Sequence, residues 1–225
     1  MEGFEIFAKL GFSGLSLALL ALCALCFSAY IKIVTVLAVL RTGLGWNSMP
    51  GFVVSGGLAI ALSLFVMAPT LRTATEAMDR TMRERAVADD VQRARAIGAA
   101  AEVWQGFLVR QTTPMELSKF ADLSLQLEKI APDAPEYGAR KAVAEQSFPV
   151  IAPAFFVSQL RAAFSLGLRL FLPLLVIDLL VATALVALGY DQLSPHVVSL
   201  PLKLILFVAV DGWGLITTNL ITTFR

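Results

Sequence analysis

Three ionisable residues, Asp178, Lys203 and Asp211, stand inside otherwise apolar stretches of this chain, and Lys32 is a fourth in the amino-terminal apolar stretch. A charge in hydrocarbon costs several kcal/mol, so such residues face a partner or a water-filled path. Lys203 and Asp211 are eight positions apart. On one continuous helix that puts them on a shared face about 12 Å apart, too far for a direct bond. Asp178 and Lys203 each fall near the middle of an apolar run, which suits pairing within the chain or between copies. Such a pair is either a fixed strut that sets helix register or a working part in assembly or gating. Both readings remain open at the level of sequence.

Other chemistry is sparse. Cys23 and Cys26 are spaced C-x-x-C within an apolar run, and the single histidine, His196, lies far from them in sequence. A redox or zinc role needs a polar, accessible setting and more ligands. The two cysteines therefore read as small apolar fillers on one helix face, and no metal or cofactor is expected. No phosphate-binding loop, H-E-x-x-H or G-x-S-x-G pattern occurs, so no enzyme is expected. A net charge of +1 over 225 residues lacks the basic excess of a nucleic-acid binder.

The elements that carry these residues follow from hydropathy. Hydrophobic residues make up 57% of the chain, and 13 of its 18 Lys+Arg and 12 of its 17 Asp+Glu fall within residues 70–169. The pattern predicts an all-α membrane protein: two long helical hairpins, four apolar helices in all, with a helical hydrophilic insertion between them. Residues 1–69 form the first apolar hairpin. One arm is uncharged from Leu10 to Ile31 and resumes after Lys32 to Leu40; Arg41–Pro50 is the turn; the second arm, Gly51–Ala68, ends at Pro69. Gly56-Gly57 suits close helix packing. No basic segment precedes the first run, which is longer than a signal peptide core and reads as a retained membrane helix.

Residues 70–147 form the hydrophilic helical region. Thr73 with Glu76 and Thr113 with Glu116 read as capping boxes, the second with Pro114 at the first helical position. Between them Met78, Met82, Val87, Val91, Ala94 and Ile97 give a helical stripe, and APDAPEYG, residues 131–138, is a loop. This region is a water-facing element, not a separate globular domain. Residues 148–225 form the second apolar hairpin: a helix carrying Ser158-Gln-Leu-Arg161 leads into Leu170–Gly189, a turn runs from Tyr190 to His196, and the last helix spans Val197–Ile221. Arg41 and Lys32 make the first loop the more basic one and favour the cytoplasm for it, which leaves the hydrophilic region periplasmic.

Ordered motifs in this frame carry a resemblance. FLPLLVIDLLVATALVALG (Phe171–Gly189), then Ser194-Pro195, then LPLKLILFVAVDGW (Leu200–Trp213) resemble the FliP/SctR family of type III secretion export-gate proteins. Leu40-Arg41 with Leu44-Gly45, FVMAP (Phe65–Pro69), PAF (Pro153–Phe155) and Ser158, Leu160, Ala163-Phe164 fit it in the same order. The resemblance implies a core subunit of a protein secretion apparatus in the bacterial inner membrane, of the virulence or flagellar type. The lack of a clear cleavable signal leans toward the virulence branch. It implies several copies of the chain, two smaller SctS/FliQ-like and SctT/FliR-like partners, SctU/FlhB-like and SctV/FlhA-like export proteins, membrane lipid around the assembly, and unfolded secreted polypeptides passing through. It also implies that the assembled gate stands largely above the bilayer plane, which suits charges inside apolar helices.

Two positions depart from the family pattern. Where the family places methionines as a flexible gasket in the second turn, this chain has Tyr190, Asp191, Gln192 and Leu193. A ring of unbranched thioethers seals by adapting its shape; here Tyr190 and Leu193 close the pore or partners do, and the turn is otherwise simply solvated. Gln159 stands where the family commonly has glutamate. Phe207 and Trp213 are the expected packing anchors of the last helix. The reading from a different class is a small-solute transporter or ion-channel subunit, with Asp178 and Lys203 as coupling residues.

Overall fold

A computed structural model describes residues 28–46, 49–83, 89–190 and 192–224, with backbone alone for 82–83 and 89–94. Cys23 and Cys26, the first-arm residues before Ser28, Asp191, and the side chains of Met82, Val87, Val91 and Ala94 lie outside the described set. Among the described residues every regular element is helical: α1 (Tyr30–Leu44), α2 (Met49–Arg83), α3 (Asp89–Gln111), α4 (Pro114–Leu127), α5 (Tyr137–Ala144), α6 (Phe148–Ala187), α7 (Pro195–Ala209) and α8 (Gly212–Thr222).

α1 is the central element. Ile33, Val36, Leu37, Leu40 and Leu44 are buried along it, against Ile151, Phe155, Ala163 and Leu174 of α6. Phe107 and Leu108 of α3 and Ile216 and Leu220 of α8 join the same cluster. The helices on either side of the charged middle region thus share one core with it.

Several helix limits differ from those read in the sequence. α2 runs through Pro69 to Arg83 instead of stopping there. A proline inside a helix deletes the bond of its missing N–H, but one lost bond does not end a helix of 35 residues. Just beyond it the Thr73 hydroxyl bonds back to the Thr70 carbonyl at 2.9 Å and lies 3.2 Å from that of Pro69. Thr73 therefore caps nothing, and Glu76 pairs along the helix with Arg80 at 3.7 Å. α4 does begin at Pro114, with Thr113 extended before it, yet the Thr113 side chain makes no cap bond. Its N–H and hydroxyl both meet Ser158 Oγ of α6, at 3.1 and 3.0 Å. Glu116, expected to reach back to Thr113, turns instead to Arg161 at 3.0 Å and Lys119 at 3.6 Å. α5 takes in the last two residues of the 131–138 loop. A Cβ placed on Gly56 or Gly57 would meet nothing within 4 Å among the described residues, so no close packing of these glycines is seen there.

α6 is one helix of 40 residues carrying Pro153 and Pro173, about 60 Å long, roughly twice the hydrocarbon thickness of a bilayer. The last apolar run is not one helix. It breaks at Val210–Asp211, and α8 leaves α7 at 63°. By length and composition α2 and α6 can each cross a membrane, and the bent α7–α8 pair makes a third span if taken together. Much of their apolar surface faces outward: Phe52, Phe65, Leu172, Leu179, Leu180 and Val208 are all more than half exposed. Apolar area on this scale is stable against lipid or neighbouring subunits, not against water.

Candidate functional site

The end of α1 and the start of α7 meet beside the middle of the carboxy-terminal half of α6. α1 ends in a Schellman turn: Gly45 has φ +74° and the Trp46 N–H bonds to the Arg41 carbonyl at 3.0 Å. α6 ends the same way at Gly189, φ +78°, with the Tyr190 N–H on the Leu185 carbonyl at 2.9 Å. Left-handed backbone strains any residue with a Cβ, which is why glycine holds both ends. Gly45 has a second reason. A Cβ there would collide with His196 Cε1, so the imidazole packs directly on the α1 terminus.

Lys203 connects the three helices. Its ammonium, 1% exposed, donates to Asp178 Oδ2 of α6 at 2.6 Å and to the Gly43 carbonyl of α1 at 2.8 Å. The carbonyl belongs to the last turn of α1, where unpaired acceptors and the helix dipole both favour a cation. Ser199, one turn before Lys203, donates to Asp178 Oδ1 at 2.5 Å. Each carboxylate oxygen thus has one donor. Asp178 itself is 39% exposed on its other side, where an open cavity lined by Leu179, Ser194, Pro195 and His196 adjoins it. The arrangement is a charged clamp that joins α1, α6 and α7.

The other expected site residues are placed elsewhere. Asp211 does not share a face with Lys203, because the helix is broken there: its backbone is left-handed, φ +49°, it is exposed, and its carboxylate accepts the Gly214 N–H at 3.3 Å. It caps α8 and is not a buried charge. Lys32 is buried but joins neither aspartate; its ammonium is 3.5 Å from the Thr223 carbonyl and 4.3 Å from the centre of the Phe224 ring. Phe207 and Trp213 stack edge to face across the α7–α8 break, centroids 5.2 Å apart, and so sit on two helices instead of one. Tyr190, Gln192 and Leu193 are exposed at the turn, with the Leu193 N–H on the Tyr190 carbonyl at 3.2 Å. Gln159 is buried and donates to the Gln111 carbonyl at 2.7 Å.

The sequence reading does not name the site residues Gly43 and Ser199, and it gives Gly45 and His196 no part in the clamp. A signal exists for two of them: His196, Ser199 and Lys203 follow an i, i+3, i+7 spacing, one face of α7. Farther off, between α4 and α5, Asp122 accepts from Lys141 at 2.6 Å and from the Tyr137 hydroxyl at 2.8 Å. The Lys141 hydrogen bond, then that of Tyr137, holds the Asp122 carboxyl below its ordinary range.

A model of the FliP family matches residues 15–220. The chain belongs to the FliP family. The hypersensitivity response secretion protein HrcR of Ralstonia nicotianae is 34% identical over 219 residues, covering 97% of this chain and 98% of that protein. The flagellar biosynthetic protein FliP of Caulobacter vibrioides is 35% identical, over 87% of this chain and 68% of its own length. A pathogenicity-related protein of Xanthomonas campestris pv. glycines is 36% identical over 86% of each chain. The FliP family match takes in α1 to α7 and nearly all of α8, so every residue of the clamp lies within it.

Proposed function

We propose that this chain is a core subunit of a type III export gate in the bacterial inner membrane, a conduit for unfolded polypeptides that performs no catalysis itself. The observation that carries this reading is family membership across almost the whole chain, with relatives named for flagellar biosynthesis and for hypersensitivity response secretion. Two structural features support it. The long helices present apolar faces that need neighbours, as a wall segment in a ring of several copies would. The clamp at Lys203 satisfies its charges inside the chain, which suits a fixed strut better than a transporter's coupling ion pair, whose partners must change.

In this reading the apolar helices form two hairpins, residues 1–69 and 148–225, and the clamp fixes their ends together before assembly. SctS/FliQ-like and SctT/FliR-like subunits complete the gate, and SctU/FlhB-like and SctV/FlhA-like proteins act on it. Residues 70–147 face the periplasm. The Tyr190–Leu193 turn lines the pore and closes it with an aromatic ring and a leucine instead of methionines. The test is export itself: a strain lacking this chain should secrete no reporter substrate, and a plasmid-borne copy should restore secretion. Normal secretion without the chain would refute the proposal.

A further inference from the structure

The two limbs of the turn between α6 and α7 are held differently. On the α6 side the left-handed Gly189 fixes the chain, with the Tyr190 N–H on the Leu185 carbonyl at 2.9 Å. On the α7 side Gln192, Leu193, Ser194, Pro195 and His196 are all exposed. An open cavity of about 470 Å³ separates this limb from α6: Leu175, Asp178, Leu179 and Ala182 line one side, Ser194, Pro195 and His196 the other. Among the described residues the backbone bonds of the limb are local. The Leu193 N–H meets the Tyr190 carbonyl, the Val197 N–H that of Ser194, and the Ser199 hydroxyl that of His196. The clamp takes hold only at Ser199, which donates to Asp178.

His196 supports the limb from α1 instead. Its imidazole lies against the α1 end, with Cε1 and Nε2 nearer than Nδ1 to the place a Gly45 Cβ would take. That end is rigid: Leu40 and Leu44 are 4% exposed, and Lys203 holds the Gly43 carbonyl at 2.8 Å. The free carbonyls of a helix terminus also suit the positive edge of a flat ring. On its own helix His196 is stiff as well, because Pro195 before it has a fixed φ and the Ser199 hydroxyl reaches its carbonyl at 3.2 Å. Close packing is the rule in folded chains, and a gap beside Leu175, Leu179 and Ala182 persists when a rigid group props it open.

We propose that His196 is the positioning residue of the α6–α7 turn: its ring, standing on Gly45, sets how far the turn lies from α6 and so places the Tyr190–Leu193 seal. The consequence for sealing rests on the export-gate reading; the placement of the turn does not.

Disulfide trapping in the purified complex tests it, in a chain carrying Cys23→Ser, Cys26→Ser, Ala182→Cys and Ser194→Cys. Positions 182 and 194 line opposite sides of the cavity, and a disulfide needs Cβ atoms about 3.5–4.5 Å apart. With His196 in place the cross-link should stay a minor product. His196→Ala removes the prop, so the limb closes on α6 and the cross-linked chain becomes the main product. His196 is exposed, so this change takes nothing from the buried core. His196→Phe keeps a flat ring on Gly45 and should hold the cross-link low. Cells expressing the assembled gate should leak small solutes more with His196→Ala than with wild type or His196→Phe. Equal cross-linking in wild type and His196→Ala would overturn the proposal, because other contacts would then place the turn. So would a His196→Phe chain that cross-links like the alanine variant. If trapping separates the variants and leak does not, the placement stands and the seal assigned to Tyr190–Leu193 falls.

Discussion

Replacing Lys203 with methionine removes one ammonium from three helices at once. Methionine keeps the length and apolar body of the side chain, so the loss is electrostatic. Asp178 Oδ2 loses a partner at 2.6 Å and the Gly43 carbonyl one at 2.8 Å. A hydrogen bond involving a charged group contributes about 1.5–3 kcal/mol, and breaking a buried pair from one side costs about 3–5 kcal/mol. Asp178 is 39% exposed and Ser199 still donates to it, which lets water take up part of the stranded charge. The expected cost is therefore about 3 kcal/mol, or roughly 6–12 °C in melting midpoint for a chain of this size. Tryptophan fluorescence during thermal unfolding in detergent reads it. The paired change Asp178→Leu with Lys203→Met should recover most of the loss, because no unpaired charge remains. A midpoint within about 1 °C of wild type for Lys203→Met, or a double variant as unstable as the two single changes added together, would refute the clamp.

Three further outcomes follow from the same structure. Gly45→Ala should destabilise by at least about 1–2 kcal/mol from its left-handed backbone alone, and His196→Ala in the same chain should relieve only the steric remainder; thermal melts of both variants check this. The Asp122 carboxyl, held below its ordinary 3.8 by Lys141 and Tyr137, contributes stability at pH values above 3.8 that is lost as pH falls through its lowered value; melting midpoints against pH should show wild type and Asp122→Asn separated at neutral pH and converging in acid. Glycine at both Tyr190 and Leu193 should raise leak of small solutes through cells expressing the assembled gate, and an unchanged leak would remove these residues from the seal.

The helical class is legible in the long apolar runs, and the Asp178–Lys203 pair is legible because a charge in such a run is conspicuous and its cost demands a partner. The third member of the clamp is not legible, since the Gly43 carbonyl is a backbone group that every residue has. In sequence Asp211 resembles the other buried charges, and only the break at Val210–Asp211 makes it a cap. Asp and Asn tolerate the left-handed conformation better than most residues, and Gly212 and Gly214 flanking Trp213 are the available hint. Pro69 misleads in the opposite direction, because a proline is a strong local stop signal that a long apolar helix overrides. Glu116 has the spacing of a capping box, but its partner Arg161 stands on a different helix, and no sequence pattern connects the two. Only the packing of α4 on α6 brings them together.

The central claim is that this chain is a wall segment of a protein-conducting gate. A cryo-EM map of the complex purified through it from native membranes tests that most directly. The account predicts several copies of the chain around a central pore, accompanied by two small hydrophobic subunits, with the Tyr190–Leu193 turns converging on the axis and Lys203 seated between Asp178 and Gly43 in each copy. A lone chain or dimer without such partners, or a ring with those turns on its outer surface, would contradict it.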